Sequence, residues 1–457
     1  MVINISGIAS YEKSDIFPAY YFPETSGIYF PGISMFEVTT RTVKNQYGKL
    51  GVEIPKLNKG LIEDILDHLN SSREMYLKGK SSSEILNIIY KNMELWSDSS
   101  YTYRKKAEEL IPITMGFSPQ MTRRILDEMT GGFKRDLSKI TAKENGIEQI
   151  FCIPPSVPGP QVLTIIRGLL NKSSVFCKSS FDDVFSSLYA RSYLDVDERV
   201  AKCISVVPWE GGKPEYQEIE NFIYGERSKK DAFVIFGRSK TEEAIKQKAK
   251  PGTNIVSFTR GISLGVIGKE MLTKDKIDYV AVHAANAVCM YDQRDCFSPQ
   301  LYYVERGGEI SPSEFSEILA EKMQNLENEI PRGELTLDAS ATIAELMSTY
   351  QLLSLTGNLR LHEILNNGSL TGAVIYKEDQ KFEPSSSYRV IRVKPINDVS
   401  EVPGLVESIS DSLHTVGVAL SEEKKNKLTE GMKNFGVKIS PINAMYQPSI
   451  LEYELFN

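Results

Sequence analysis

Residues 150–180 read IFCIPPSVPGPQVLTIIRGLLNKSSVFCKSS, in which two short apolar runs enclose a segment long enough for a helix. The apolar runs cover residues 150–153 and 174–178, and the segment between them covers residues 160–170. Short runs rich in Val, Ile and Phe between turn residues are typical of buried strands. The stretch therefore predicts a strand–helix–strand unit with parallel strands.

The same alternation continues downstream. Further strand candidates cover residues 203–207, 232–236 and 254–258, and residues 241–250 form a helix-length segment between the last two. Repeated alternation of this kind predicts a doubly wound parallel sheet. In such a sheet, ligands bind beyond the carboxyl ends of the strands, so the residues that follow each strand are the candidates for ligand contacts.

Those strand-end residues combine cations, hydroxyls and glycines, as a phosphorylated cofactor requires. The Gly-rich dinucleotide fingerprint GxGxxG is absent. Since Gly, Ser and Pro are also the usual turn residues, ordinary strand-to-helix turns are the alternative interpretation. The candidates for cofactor binding are Pro154, Lys178, Ser179, Ser180, Gly212, Gly237, Arg238 and Ser239.

Different patterns flank this region on its amino-terminal side. Residues 1–57 are rich in Tyr, Phe, Gly, Pro and Thr, which predicts an arm or a small sheet. Helical periodicity follows, and its sharpest helix start is Ser118-Pro119, with an end predicted at Gly131-Gly132. We therefore predict a helical region and nucleotide-binding domain over residues 58–285.

A single cysteine marks the carboxyl-terminal half. Residues 292–304 read DQRDCFSPQLYYV, so that Cys296 lies between a helix-like segment and an aromatic, β-branched run. The thiolate is the reactive form of cysteine, and Arg294 together with a helix-to-strand turn would favour it. An inert, packed cysteine is the alternative. We predict a catalytic domain over residues 286–437 and a carboxyl-terminal segment over residues 438–457.

Composition limits the class of protein. The 457 residues are 41% hydrophobic and 25% charged, and 53 Lys and Arg against 60 Asp and Glu give a net charge of −7 without a basic cluster, which argues against a nucleic-acid partner. Five scattered cysteines without CxxC spacing argue against disulfides and structural zinc, and the four histidines are far apart in sequence, so we expect no metal. The start of the chain lacks a leader pattern and no apolar run approaches ~18 residues, so we expect a cytoplasmic protein without a membrane span.

The order of these features resembles the aldehyde dehydrogenase superfamily: a strand ending in Lys178-Ser179-Ser180, a later strand ending in Gly237-Arg238-Ser239, then a helix and a cysteine before a strand. Asp292-Gln293 and Cys296-Phe297-Ser298-Pro299-Gln300 more narrowly resemble the LuxC-type acyl-CoA and acyl-protein thioester reductases of luminous bacteria. The resemblance implies an aldehyde dehydrogenase-like α/β fold, with a Rossmann-type cofactor domain and an α/β catalytic domain.

The resemblance also implies roles for individual residues. Cys296 matches the catalytic cysteine, Lys178 the lysine that contacts the adenosine ribose or its 2′-phosphate, and residues 237–239 the turn on the pyrophosphate side. Glu383 falls where a carboxylate binds the nicotinamide ribose. Phe181 stands where NAD-preferring relatives often carry a glutamate, so the resemblance favours NADPH.

Three departures from the superfamily pattern bear on the chemistry. Residues 257–261 offer no carboxylate where hydrolytic relatives carry a water-activating glutamate. Ser156 replaces the asparagine that helps to hold the oxyanion, which leaves the backbone N–H of Cys296 as the other donor. Arg260 stands near a position where LuxC-type reductases often have histidine, and it can bind phosphate or polarise a carbonyl but cannot act as a base.

These features predict an NADPH-dependent reductase that converts a fatty acyl thioester to the aldehyde through an acyl-cysteine intermediate. A CoA-acylating or general aldehyde dehydrogenase acting on a shorter aldehyde is one alternative, and a non-catalytic binding protein on the same fold is another. The expected partners are a fatty acyl-CoA or an acyl-carrier or acyl-enzyme donor, an acyl-protein synthetase and further copies of the chain.

Overall fold

The computed structural model of the chain describes residues 16–22, 37–137, 139–140, 145–226, 230–237, 239–357, 359–447 and 449. The chain forms two compact units, which divide between Thr259 and Arg260. Within the described residues, no helix is both long enough and apolar enough to cross a membrane.

The first unit contains a parallel sheet, a small mixed sheet and helices. Its elements are β1 (Ile16–Pro18), β2 (Val38–Asn45), β3 (Gly48–Pro55), α1 (Lys59–Ser72), α2 (Ser82–Ser97), α3 (Thr102–Met115), α4 (Pro119–Leu137), β4 (Gln149–Ile153), α5 (Pro160–Leu170), β5 (Ser174–Ser179), α6 (Val184–Ser192), α7 (Glu198–Ala201), β6 (Ile204–Pro208), α8 (Gln217–Gly225), β7 (Asp231–Phe236), α9 (Ser239–Lys248) and β8 (Asn254–Phe258).

The parallel sheet confirms the predicted doubly wound pattern. Its strand order is β6-β5-β4-β7-β8, and every neighbouring pair is parallel. The chain runs from β4 outward to β6, returns to β7 on the other side of β4 and continues to β8. The order therefore reverses between β4 and β7, which is where open α/β sheets form a ligand crevice at their carboxyl ends.

Burial explains why these segments form strands. Every residue of β4 and β6 is buried, as expected when crossover helices cover both faces of a parallel sheet. The rings of Phe151, Phe176 and Phe233 lie on three adjacent strands, and that of Phe151 is centred 5.6 and 5.1 Å from the other two. The sheet is thus held by one aromatic and aliphatic core.

The predicted end of the helix that starts at Ser118-Pro119 is wrong, because α4 continues through Gly131-Gly132 to Leu137. Met129, Phe133 and Leu137 extend its apolar stripe at intervals of four residues, and all three are buried. Burying two large side chains offsets the helix-propensity cost of the glycines, about 1 kcal/mol each.

The small sheet has the order β1-β3-β2, with β1 parallel and β2 antiparallel to β3. It lies within the segment predicted as an arm or a small sheet. The remainder of that segment, residues 1–15 and 23–36, lies outside the described residues.

The second unit is built on one mixed sheet with the strand order β11-β12-β13-β10-β9-β14-β15, in which only β11 and β12 pair antiparallel. Its elements are β9 (Ile262–Ile267), α10 (Ile277–Cys289), β10 (Pro299–Glu305), α11 (Pro312–Glu329), α12 (Leu337–Ser354), β11 (Leu359–Asn366), β12 (Ser369–Lys377), β13 (Val390–Ile396), α13 (Val402–Val406), β14 (Leu413–Ala419), α14 (Glu422–Gly431) and β15 (Lys438–Pro441).

The compact units divide earlier than the domain boundary that we predicted between residues 285 and 286. Strand β9 already pairs with β10 and β14, and α10 spans the predicted boundary without a break. The predicted separate segment from residue 438 begins with β15, which pairs with β14 in the same sheet. Short apolar strands at the edges of the predicted domains therefore belong to the second sheet.

Candidate active site

Cys296 lies in the turn between α10 and β10, at the amino end of β10. The neighbouring strands β9 and β14 run parallel to β10, so their amino ends lie at the same edge of the sheet. Arg260 precedes β9, and His414 is the second residue of β14. The sheet thus brings together a thiol, a guanidinium and an imidazole from three distant parts of the chain.

The turn before Cys296 has an unusual backbone. Tyr291, Asp292 and Gln293 have φ angles of 54°, 52° and 60°, in the left-handed region that residues with side chains rarely adopt. The Gln293 side chain supports this turn, because its Nε2 donates to the carbonyls of Pro299 and Val390 and its Oε1 accepts from the Val390 N–H. Three hydrogen bonds from one buried amide therefore fix the path of the chain toward Cys296.

A buried cluster of charged side chains also supports this turn. Arg389 Nε donates to Asp292 Oδ1 at 3.0 Å and its Nη1 donates to Glu327 Oε2 at 2.7 Å, while the second Asp292 oxygen accepts from the Gly333 N–H. Arg389, Asp292 and Glu327 are each 1% exposed. Breaking a buried pair strands a charge, so the cluster resists rearrangement of the turn.

The thiol itself is half-buried and faces two polar groups. Cys296 Sγ lies 3.3 Å from Asp295 Oδ1, and the same oxygen accepts from the Phe297 N–H at 3.1 Å. Burial raises the pKa of the Asp295 carboxyl, while hydrogen bonds from Phe297 and Cys296 oppose the shift. A carboxyl with a raised pKa is better matched to accept a proton from a thiol.

His414 is the second polar neighbour, and sequence analysis did not identify it. Its Nε2 lies 4.0 Å from Cys296 Sγ, and its ring meets the edge of the Phe297 ring at a centroid distance of 4.8 Å. Burial, together with the nearby charges of Lys438 and Arg260, lowers the pKa of His414 to about 4. The ring is therefore neutral at physiological pH.

Ser263 fixes the spacing between the two segments. Its hydroxyl donates to the Cys296 carbonyl at 2.6 Å and accepts from the Thr415 N–H at 3.1 Å. One buried side chain on the central strand β9 therefore ties the cysteine turn to the start of β14.

Arg260 is placed at this edge, but its guanidinium is engaged by the backbone. Its Nη1 donates to the carbonyls of Phe435, Gly436 and Leu413 at 2.5, 3.0 and 3.4 Å. These bonds anchor the start of β14 and the turn before β15. The arrangement favours a structural and electrostatic role for Arg260 over the predicted contact with substrate.

Glu383 belongs to a different ionic cluster of the second unit. Its carboxylate lies 3.1 Å from Lys377 Nζ, 3.4 Å from Arg392 Nε and 3.6 Å from Lys394 Nζ. These cations hold the pKa of the Glu383 carboxyl below its usual value against the opposing effect of burial. The half-buried carboxylate is therefore ionised because of its cationic neighbours.

The predicted cofactor residues of the first unit lie where the parallel strands end. Ser179 closes β5, Pro154 and Gly212 follow β4 and β6, and Gly237 and Ser239 follow β7. Gly237 has a φ of 143°, in the region that favours glycine. Arg238 lies outside the described residues.

Lys178 contributes a cation to this edge of the sheet. Its Nζ lies 5.3 Å above the ring of Trp209, and burial lowers its pKa to about 8 although Glu220 and Glu210 lie near it. Glu220 Oε1 accepts from the Gly212 N–H at 2.8 Å, so this backbone donor is already occupied. The structure thus brings Lys178 and the turn at Gly212 together through one carboxylate.

Hydroxyls complete the edge. Ser156 Oγ lies 3.0 Å from Ser180 Oγ, which groups Ser156 with the cofactor candidates of the first unit. Ser179 is fully buried, and its hydroxyl has no hydrogen-bond partner among the described residues. A buried, unpaired hydroxyl is costly unless a ligand or water completes it.

The carboxylate of Glu242 lies next to the strand end at residues 257–259, and the sequence did not predict it there. It accepts from the Thr259 hydroxyl at 2.9 Å and pairs with Lys246 at 2.6 Å. Burial raises the pKa of its carboxyl, but these partners together outweigh burial and lower the pKa. Its lone pairs are engaged and its basicity is reduced, which makes it poorly suited to activating water.

The sequence of this chain matches a known protein family and several of its named members. The family model for acyl-CoA reductase (LuxC) matches residues 146–446. A long-chain acyl-protein thioester reductase of Photorhabdus luminescens is 26% identical over 330 residues, which cover 65% of this chain and 63% of the relative. The corresponding protein of Aliivibrio fischeri is 23% identical, over 70% of this chain and 68% of the relative.

Solved structures show the same fold at low sequence identity. Aldehyde dehydrogenase 21 from Physcomitrella patens superposes with a TM-score of 0.67 at 14% identity, over 88% of this chain and 87% of that chain. The glyceraldehyde-3-phosphate dehydrogenase GapN of Methanocaldococcus jannaschii, solved with NADP, gives 0.67 at 15% identity, over 90% and 91%. The family model covers more than half of the chain and therefore shows that the chain belongs to the acyl-CoA reductase (LuxC) family.

Proposed function

We propose that this protein reduces a fatty acyl thioester to the corresponding aldehyde with NADPH, through an acyl group carried on Cys296. The observation that carries the proposal is a half-buried thiol held by a fixed turn, 3.3 Å from a carboxylate whose pKa is raised. Family membership and relatives named long-chain acyl-protein thioester reductases support the same reaction class.

The first step is acyl transfer. The Cys296 thiolate attacks the thioester carbonyl, the bond from that carbon to the sulfur of the donor breaks, and the donor leaves as a thiol. Asp295 Oδ1 is placed to receive the thiol proton of Cys296 and to return it to the leaving sulfur. The backbone N–H of Cys296 is the candidate donor to the oxyanion that forms on the acyl carbon.

The second step is reduction of the acyl group on Cys296. A reduced nicotinamide supplies, when bound, the hydride that turns the acyl carbon into a thiohemiacetal carbon. Breakage of the carbon–sulfur bond then releases the aldehyde and regenerates the Cys296 thiolate. With the thiol released in the first step, one thioester, one NADPH and one proton give one aldehyde, one thiol and one NADP⁺.

The strand ends of the first unit fit a phosphorylated cofactor. Lys178 provides a cation, Ser179 a buried hydroxyl that has no hydrogen-bond partner among the described residues, and Gly237 a turn without a Cβ. We infer that the cofactor is NADPH and not NADH. Lys178 is available to the 2′-phosphate, and Phe181 occupies the position at which a carboxylate would repel that phosphate. Glu383 is the candidate for the nicotinamide ribose.

Protection from hydrolysis follows from the same residues. No carboxylate occurs at residues 257–261, and the pKa of Glu242 is lowered by its partners. An acyl-cysteine in such surroundings is reduced by hydride instead of losing its acyl group to water.

We propose a fatty acyl-CoA or an acyl-protein as the donor and an acyl-protein synthetase as its supplier. We also propose a cytoplasmic location and a homo-oligomeric assembly.

The test is to measure NADPH oxidation and aldehyde formation with saturated acyl-CoAs of increasing chain length. We expect turnover that increases with chain length and is abolished in Cys296→Ala, while Cys289→Ala, which alters a fully buried cysteine of the same unit, retains it. Faster oxidation of a short aldehyde in the presence of CoA would support the acylating dehydrogenase instead. Absence of turnover in both directions would support a binding protein.

A further inference from the structure

We propose that His414 stabilises the Cys296 thiolate by donating a hydrogen bond from Nε2–H, and that the Thr415 hydroxyl fixes the ring in the tautomer that can donate. The inference rests on the proposed acyl transfer to Cys296 and adds to it the group that keeps the nucleophile reactive.

The sheet determines the geometry. His414 and Thr415 are the second and third residues of β14, and β9 lies between β14 and β10, so Ser263 on β9 bonds to both segments and holds them at a fixed spacing. Phe297 packs edge-on against the imidazole and limits its rotation. Nε2 is therefore held facing the sulfur, at 4.0 Å.

The tautomer follows from Thr415. Its hydroxyl is fully buried, and its only hydrogen-bond partner among the described residues is His414 Nδ1, at 2.9 Å. A buried hydroxyl hydrogen needs an acceptor, so Thr415 donates and Nδ1 accepts. In a neutral imidazole the other nitrogen then carries the hydrogen, and that nitrogen is the one that faces Cys296.

The surrounding charges agree with a donor and argue against a base. Arg260 before β9 and Lys438 on β15, which lies over the Phe297 ring, are charged groups near His414, and Asp295 on the cysteine turn faces the thiol. The two cations and burial lower the pKa of His414, so the ring stays neutral and holds its Nε2 hydrogen. Asp295 is placed to take the thiol proton, and the Nε2–H of His414 then faces the thiolate.

Alkylation of the resting enzyme by iodoacetamide tests this assignment without substrate or nucleotide, because the rate follows the thiolate fraction. Loss of one charge-assisted hydrogen bond should make His414→Phe about tenfold slower at pH 7.5 and raise the midpoint of its pH profile by about one unit. His414→Gln, which keeps an N–H donor, should recover most of the rate. His362→Gln, which removes a half-buried histidine bonded to Ser316 elsewhere in the unit, should match the wild type.

Two substitutions of Thr415 test the tautomer without changing His414. Thr415→Val keeps the backbone N–H to Ser263 but frees the tautomer, and we expect a roughly threefold slower rate, with Thr415→Ser restoring it. This pair decides the question if His414→Phe does not fold.

Two outcomes overturn the inference: His414→Gln as slow as His414→Phe with Thr415→Val unchanged, or His414→Phe as fast as wild type at every pH. If iodoacetamide does not alkylate Cys296 in the wild-type protein, the proposed function fails as well. Labelling of Cys296 with no effect of the His414 and Thr415 variants overturns only the role of His414.

Discussion

The turn that carries Cys296 and the strand-end turns of the first unit are built in opposite ways. Asp292 and Arg389 are 1% exposed and bonded to each other, whereas Gly212, Gly237 and Ser239 are exposed. A nucleophile must be held at one position, so buried charges and amide bonds surround it. The turns proposed to receive a phosphorylated cofactor are instead exposed and built from small residues, which leave space for a ligand, although the Gly212 N–H is bonded to Glu220.

The largest effect should come from Arg389→Met, which leaves Asp292 and Glu327 buried without their cation. We expect a loss of about 3–5 kcal/mol in the free energy of unfolding by urea, together with much slower alkylation of Cys296. The control is Arg306→Met, whose partner Glu378 is 51% exposed on its side chain, and it should cost less than about 1 kcal/mol. Equal losses would mean that the buried charges do not hold the turn.

Gln293→Met should have the next largest effect, because it removes three hydrogen bonds to the backbone at nearly constant volume. We expect about 2–3 kcal/mol from urea unfolding, since the buried groups of Val390 lose their partner. Gln351→Met on the exposed face of α12 is the matched control and should change stability by less than about 0.5 kcal/mol. A cost no greater than that of the control would remove Gln293 from the account.

The pH dependence of stability isolates His414. Its folded pKa of about 4 lies below its unfolded value of about 6.5, so the unfolded chain binds the proton first and stability falls as pH drops from about 6.5 to 4. Replacing His414 by Phe should remove this contribution, making the loss of unfolding free energy between pH 7.5 and 5 smaller by roughly 1–2 kcal/mol. An unchanged difference between the two pH values would contradict a neutral, buried ring.

Lys178→Met tests the strand-end turns of the first unit, and we expect it to raise the free energy of unfolding instead of lowering it. Burial lowers the pKa of Lys178 to about 8 in the folded state, so its charge costs stability at neutral pH, and the variant should be more stable by about 1 kcal/mol. We also expect the KM for NADPH to rise about tenfold and that for NADH to change much less, because the 2′-phosphate loses its cation. Equal changes for both nucleotides would argue against NADPH selectivity through Lys178.

The two regions also differ in how much of them sequence could predict. The strands of the parallel sheet were predicted to within two residues of their observed ends, because their burial produces short apolar runs that are visible locally. Cys296 and Lys178 were likewise identified from the segments around them. Each of these features depends on residues close in sequence.

The surroundings of Cys296 depend instead on distant pairings. His414 lies 118 residues from Cys296, and only the strand order β10-β9-β14 brings the two together. Arg389 is 97 residues from Asp292, and the left-handed turn that they support has no signature in a single sequence. The carbonyl bonds of Arg260 were missed for the same reason.

Uptake of the acyl group by Cys296 before reduction can be measured by mass spectrometry of the protein after incubation with a long-chain acyl-CoA and no nucleotide. We expect one acyl adduct that maps to the peptide containing Cys296, is absent from Cys296→Ala and disappears when NADPH is added, with aldehyde released. An adduct on another residue, or aldehyde formation by Cys296→Ala at the wild-type rate, would contradict it.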